Sequence, residues 1–340
     1  MNGYQRVMAT LLGKEPDTTP VMLHNFMMAA REAGLTMEQF RNDPNEMARA
    51  FIEAVERYEF DGIMIDVDTV TLAGATGVPI DFPVDQPAQA AGVRIHSLEE
   101  VADLAPVDIR GYRGVQVWLE ATSILRRHFG NDIFIRGNCD QSPFTLASLT
   151  RGLEPWMLDL ANGDNHELVH NLLEYCTGIT LQFIQLMSET GAHMTSNGDS
   201  VAGPELISPA MYRTFSLPYE KKIVDRSHAL GLPYFLHICG NTSRIIDEML
   251  ETGSDGLELD YRTDAAMAHN KMKDRAVFIG NIDPSGVLAL GTPQLVEEKT
   301  RELMTIFADT PRFILNAGCA IPPITPPENL RAMINTARSF

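Results

Sequence analysis

Short apolar runs alternate with longer stretches of helical periodicity along the whole chain. The runs fall at residues 20–24, 62–67, 133–137, 193–197, 233–239, 255–260, 276–281 and 312–318. Most are apolar at successive positions rather than at every second one, which predicts parallel strands covered on both faces. Between them, apolar residues recur at helical spacing over 43–59, 114–130, 164–190, 208–230, 243–253, 263–273, 293–308 and 327–338. Eight strands alternating with eight helices predict the α/β class, as a single (β/α)8 TIM barrel domain over residues 1–340.

Local signals sharpen three helix starts. Ser208-Pro209 and Thr292-Pro293 each put a capping hydroxyl before a proline, whose missing N–H is harmless at the first helical position. Thr325 followed by Glu328 has capping-box spacing. Residues 71–113, with Pro79, Pro83, Pro87 and Pro106, fit neither pattern and are expected to form an insertion after the second strand. No repeat or linker divides the chain.

Polar residues gather where the apolar runs end. His24, Asp66, Asp68, Asn138, Asp140, Asn197, Asp199, His237, Cys239, Asp260, Asn281, Asp283 and Cys319 all lie at or just beyond the C-terminal end of a predicted strand. In a barrel those ends converge on the face that carries the active site. Asn and Asp favour such positions for turn geometry alone, so His and Cys are the more informative members.

Composition narrows the function classes. A formal net charge of -18 and a pI near 4.8 oppose nucleic acid as a partner. Met1 to Glu15 is mixed polar, and no apolar run approaches the roughly 18 residues needed to span a bilayer. Asn2 stands where myristoylation requires glycine. A cytoplasmic protein without membrane attachment is expected. The 4 cysteines are too few for a disulfide framework in a chain of 340 residues. Cys176 belongs to a helical stripe with Leu168, Leu172, Ile179 and Phe183 and is expected in the core, whereas Cys139, beside Asn138 and Asp140, is open to either reading.

The run 233–239 ends in His237-Ile238-Cys239-Gly240-Asn241. Side chains alternate along a strand, so His237 and Cys239 project from one face. An imidazole and a thiolate are both good zinc ligands, and Cys319, in the turn after the eighth strand, is the natural third. Three protein ligands leave a tetrahedral zinc one open position, and the chain has no CxxC pair of the structural kind. The alternatives are a Cys239–Cys319 disulfide and two unrelated buried thiols.

The segments His237–Asn241, Gly280-Asn281-Ile282-Asp283-Pro284 and Gly318-Cys319-Ala320-Ile321-Pro322-Pro323 through Asn329 resemble the uroporphyrinogen decarboxylase superfamily. Pro143 to Ser148, Asp199 to Gly203 and Ile207-Ser208-Pro209 extend the resemblance over nearly the whole chain. Within the superfamily, an HxC with a distant Cys is similar to the branch of zinc methyltransferases that use methylcorrinoids. That resemblance implies a (β/α)8 barrel with zinc on His237, Cys239 and Cys319. It further implies a methyl group exchanged between a corrinoid on a partner protein and a small methyl donor or acceptor such as a thiol, in either direction. Asp199, Glu258 and Asp260 are candidates to orient the ligands or to occupy the fourth position; Asn241, Asn281 and Asp260 are candidates to contact the cofactor. Asp68 is similar in position to the pyrrole-binding aspartate of the decarboxylases, which keeps decarboxylation as an alternative alongside a non-catalytic corrinoid-docking protein. Against decarboxylation, the segment His24 to Arg31 carries one arginine where the decarboxylases have an arginine-rich stretch for the porphyrinogen's carboxylates. Asp225-Arg226-Ser227-His228-Ala229-Leu230-Gly231 has one residue too many for a DxHxxG corrinoid-binding motif, so any corrinoid is expected to arrive free or on another protein.

Overall fold

A computed structural model describes residues 1–340. Eight strands form one parallel sheet: β1 (Met22–Leu23), β2 (Gly62–Ile65), β3 (Phe134–Gln141), β4 (Met194–Gly198), β5 (Tyr234–Ile238), β6 (Gly256–Leu259), β7 (Val277–Ile282) and β8 (Phe313–Ala317). Each pairs with its neighbour in chain order. A parallel bridge between Val21 and Leu315 joins β8 back to β1. The result is the expected (β/α)8 barrel, with all eight strands where the apolar runs place them.

Most of the apolar mass lies between the sheet and the surrounding helices, in a cluster of 85 buried residues. A second, smaller cluster fills the lower barrel. Val7 of the helix Gly3–Leu11 packs there against Met22, Phe134, Met194, Phe235, Val277, Ile279 and Ile314. Counting two residues onward from several of these gives His24, Arg136, Ser196, His237 and Asn316, which the strand period turns into the same interior. The barrel is therefore apolar at its base and polar toward the C-terminal ends of its strands. No helix is long and apolar enough to cross a membrane.

Several details depart from the expected elements. The helix expected at 208–230 is two helices, Pro209–Phe215 and Leu217–Ala229. Pro218 lacks the N–H that a continuous helix would donate to Thr214 O, and the Ser216 side chain turns to Asp199 and Glu220. Ser208 and Thr292 do cap, accepting from Met211 N and Leu295 N. The capping box at Thr325 does not form. Pro326 is the cap residue of the last helix, Pro327–Ser339, and the Thr325 hydroxyl has no partner. The insertion over 71–113 holds a short helix, Thr71–Ala75, a two-stranded ribbon pairing Ile80–Asp81 with Gln89–Ala90, and two 3-10 turns. Helices at Pro143–Arg151 and Leu153–Ala161 add to the expected set. The first is buried nearly all round, which erases the amphipathic period that reveals a helix.

Candidate metal centre

His237 is the penultimate residue of β5, and Cys239 follows the strand's last residue. The Nδ1–H of His237 donates to the main-chain oxygen of Glu258 on β6 at 2.9 Å. A carbonyl oxygen only accepts, so this bond keeps a proton on Nδ1 and makes Nε2 the atom turned toward the cysteines and available to a metal ion. Nε2 faces Cys239 Sγ at 3.3 Å. Cys319 approaches from the loop after β8, where Gly318 donates to Ile282 O. A Cβ on Gly318 would stand 2.3 Å from Tyr261 N, so only glycine lets this loop close against the one after β6.

The ligand atoms of His237, Cys239 and Cys319 all lie within 4.8 Å of one another. Zinc bonded to nitrogen at about 2.05 Å and to sulfur at about 2.3 Å in a tetrahedral shell separates such donors by about 3.6 Å. The three side chains therefore fit a metal of that preference without rearrangement of the strands. Both cysteines are free thiols, and the expected alternative of a disulfide between them is not what the structure holds.

Their mutual proximity also sets their proton affinities. Cys319 pulls the Cys239 thiol down against the opposing effect of burial. Cys239 and burial push Cys319 up to about 12. Burial lowers His237, but Cys319 and Glu258 outweigh it and raise the imidazole to about 9. Packed this closely, the thiols resist ionising together, a conflict that a bound cation resolves.

None of the three carboxylates considered for this centre joins the cluster. Glu258 is fully buried, with Oε2 2.6 Å from Arg136 Nη2. Asn316 Nδ2 donates to its Oε1 at 3.0 Å. Burial favours the neutral carboxyl, yet Arg136, His237 and His24 together hold Glu258 below its usual range. Asp199 accepts from Thr145 N at 2.8 Å, Thr145 Oγ1 at 2.6 Å and Ser216 Oγ at 3.0 Å, which ties the loop after β4 to two helices. Asp260 accepts from Gly240 N at 3.0 Å and Arg262 N at 2.9 Å, so it clamps the turn that follows Cys239. Gly240 has a φ of 81°, which suits glycine at this sharp reversal.

The remaining candidates divide. Asn281 Nδ2 donates to Asp260 O and Thr263 O, joining the ends of β6 and β7. Asn241 is exposed, and its side chain accepts from Ser243 N in a local turn. Asp68 is buried, accepting from Val70 N and Thr71 Oγ1. Burial, reinforced by Asp66, raises its carboxyl to about 6. Cys139 and Cys176 are both fully buried.

Beneath His237, Cys239 and Cys319 lies a polar layer that the strand-end pattern reveals only in part. His24 Nε2 lies 2.6 Å from Asp66 Oδ2, and Asn138 Nδ2 donates to Asp66 Oδ1 at 3.2 Å. Ser196 Oγ donates to Asn138 Oδ1 at 3.4 Å and accepts from Arg136 Nε at 2.9 Å. With Glu258 and Asn316 this makes a continuous network across the barrel. Arg136, Ser196 and Asn316 are the members that sequence reasoning misses, and Arg136 is the one with a signal. A lone charge inside an otherwise apolar strand is the available signal, since a buried arginine demands a partner.

The uroporphyrinogen decarboxylase family model matches residues 2–340. The methylcobamide:CoM methyltransferase MtbA of Methanosarcina acetivorans is 31% identical over 279 residues, covering 78% of this chain and 80% of the relative. A uroporphyrinogen decarboxylase from a Synechococcus strain is 27% identical, covering 91% of this chain and 90% of the relative. Among solved structures, a methyltransferase from Methanosarcina mazei superposes with a TM-score of 0.91 at 24% identity, covering 100% of this chain and 99% of that one, and it shares the fold.

Proposed function

The chain belongs to the uroporphyrinogen decarboxylase family, and from that premise we propose that it is a methyltransferase whose zinc site is His237, Cys239 and Cys319. It exchanges a methyl group between a corrinoid carried by a partner protein and a small thiol or other methyl donor or acceptor. The observation that carries the reading is the convergence of those three ligand atoms within 4.8 Å. Three protein donors are one fewer than structural zinc sites use, and the strand ends that supply them form the active face of such barrels. The relative named MtbA acts between methylcobamide and CoM.

Bound at this site, zinc supplies Lewis acidity that lowers the pKa of an incoming thiol. The chain's own residues prepare the place for it. Glu258 O holds the His237 ring with Nε2 toward the cysteines. Asp260 holds the turn that presents Cys239. Arg136 and Asn316 neutralise and fix Glu258, so the strand behind His237 is anchored from below. In the forward direction the thiol sulfur forms a bond to the methyl carbon while the cobalt–carbon bond breaks. Both electrons of that bond stay on cobalt, which passes from Co(III) to Co(I), and the thiol proton leaves to solvent. The reverse reaction uses the same groups. Asp225 to Ala229 lies within the helix Leu217–Ala229, and His228 pairs with Asp255 at 2.8 Å. This segment offers no free imidazole for a corrinoid, consistent with a separate carrier.

Decarboxylation would rest on Asp68. The cavity beside it is lined by Arg41 and Arg113, but their guanidinium groups already donate to main-chain oxygens, Arg41 to Pro83 and Gln86, Arg113 to Asn42. That leaves a poor clamp for a substrate with many carboxylates. Two variants separate the readings. Cys239→Ala is expected to abolish thiol-dependent demethylation of methylcobalamin, followed by cobalt absorbance, and Asp68→Asn to retain it. Consumption of uroporphyrinogen by the wild type and its loss in Asp68→Asn would establish the decarboxylase instead.

A further inference from the structure

A cavity of about 360 Å³ opens beside the metal ligands, between the insertion and the loops after β3 and β4. Its link to the centre is Ser200, which lines it: Gly198 pairs in register with His237 and Asp199 N donates to His237 O at 2.7 Å, so the next residue, Ser200, runs beside the end of β5 that carries Cys239. Thr69, Gln141, Thr145, Leu149, Leu153 and Val201 supply much of the remaining wall, and no charged side chain lines it.

The surroundings make an anion still less welcome. Thr145 is backed by the Asp199 carboxyl at 2.6 Å, and Thr69 and Gln141 follow Asp68 and Asp140 directly in the chain. Asp68, Asp140 and Asp199 are all buried. An anionic group placed here would lose its hydration and meet no cation.

One polar group does point to a ligand. Gln141 is 4% exposed. Its Oε1 accepts from Ser200 N at 3.3 Å and from Ser200 Oγ at 2.9 Å. Because a backbone N–H only donates, those contacts fix the amide's orientation. The side-chain bonds of Gln141 all go to Oε1, so the Nε2 hydrogens bond to no protein group, in a residue that lines the cavity.

We propose that this cavity seats the methyl acceptor, and that the acceptor is a neutral thiol with an apolar body and one hydrogen-bond-accepting group taken by Gln141 Nε2. The inference rests on the methyltransferase reading and adds the substrate class. It sets this chain apart from relatives named for CoM, whose sulfonate is an anion. Volume supports it: cavities of this size hold small organic ligands, and a lining of aliphatic side chains, hydroxyls and one amide suits an uncharged one. The step is the one given above, with sulfur gaining the methyl carbon, cobalt keeping the bonding electrons and the proton lost to solvent.

The test uses the zinc-loaded full-length chain, methylcobalamin and matched thiols: mercaptoethanol against mercaptoethanesulfonate, and benzyl mercaptan against mercaptomethylbenzoate. The neutral member of each pair is expected to have the higher kcat/KM, by about tenfold or more. Leu153→Lys adds a cation at a position already 45% exposed and should raise kcat/KM for the two anionic thiols. Val201→Phe should fill the cavity and raise KM for benzyl mercaptan while zinc content stays that of the wild type. Arg31, which lines a separate cavity with Met27, Met37 and Asp85, is the control. If the anionic thiols match or exceed the neutral ones, the inference fails while the methyltransferase reading stands, and a loss of their turnover in Arg31→Ala would put the anion at that other cavity. If no thiol demethylates methylcobalamin, both fail.

Discussion

The Nδ1 of His237 lies 2.9 Å from the main-chain oxygen of Glu258, so one residue of β6 orients the imidazole with its backbone while its side chain binds Arg136 below. The His237 imidazole and the buried ion pair are thereby two layers joined through one residue.

That relationship makes the Arg136–Glu258 pair a stability determinant. Both side chains are fully buried, and removing either partner strands a charge. Arg136→Met is expected to destabilise the fold by about 3–5 kcal/mol, read from the midpoint of denaturant unfolding. The double variant Arg136→Met with Glu258→Leu should recover much of the loss. Equal loss in the single and double variants would mean that the charge itself is not the cause.

Asp260 should act on metal affinity through the turn after Cys239. Asp260→Ala removes the acceptor of Gly240 N, and zinc affinity measured by competition with a chromogenic chelator should fall about 10- to 100-fold, with unfolding little changed. Unchanged affinity would show that the turn holds its shape without the carboxylate.

Asp68 gives a pH signature. Its carboxyl is raised by burial to about 6, above its ordinary value of 3.8. Because the folded value is the higher, its contribution to stability is fully present below about pH 4 and is lost as pH rises through about 6. Asp68→Asn keeps an acceptor for Val70 N and Thr71 Oγ1 but cannot ionise. Its thermal stability relative to the wild type should therefore rise between pH 4 and pH 7. A constant difference across that window would count against the raised value.

How much of this is legible in the sequence follows from what each feature needs. The barrel strands are buried on both faces, so their apolar runs stand out, and the strand period of two is enough to put His237 and Cys239 on one side. Cys319 follows from counting strands to the eighth. Arg136 shows only as a lone charge in an apolar strand, because its partner Glu258 is over a hundred residues away and the sequence does not point to it. Asp199 and Asp260 stand out for their places at strand ends, yet their work is to fix loops through backbone and hydroxyl donors, which only the three-dimensional arrangement reveals. Gln141, whose free amide hydrogens mark the neighbouring cavity, carries no sequence signal that separates it from any other strand-end glutamine.

The central claim is that His237, Cys239 and Cys319 hold one zinc ion on which methyl transfer depends. Metal analysis of purified wild type, Cys239→Ala and Cys319→Ala, paired with methylcobalamin demethylation in the presence of thiol, tests it directly. The wild type should carry one zinc per chain and react; each variant and the chelator-stripped protein should have lost most of both, with activity restored by zinc only in the wild type. Full transfer by protein without metal, or stoichiometric zinc retained in both variants, would contradict the claim.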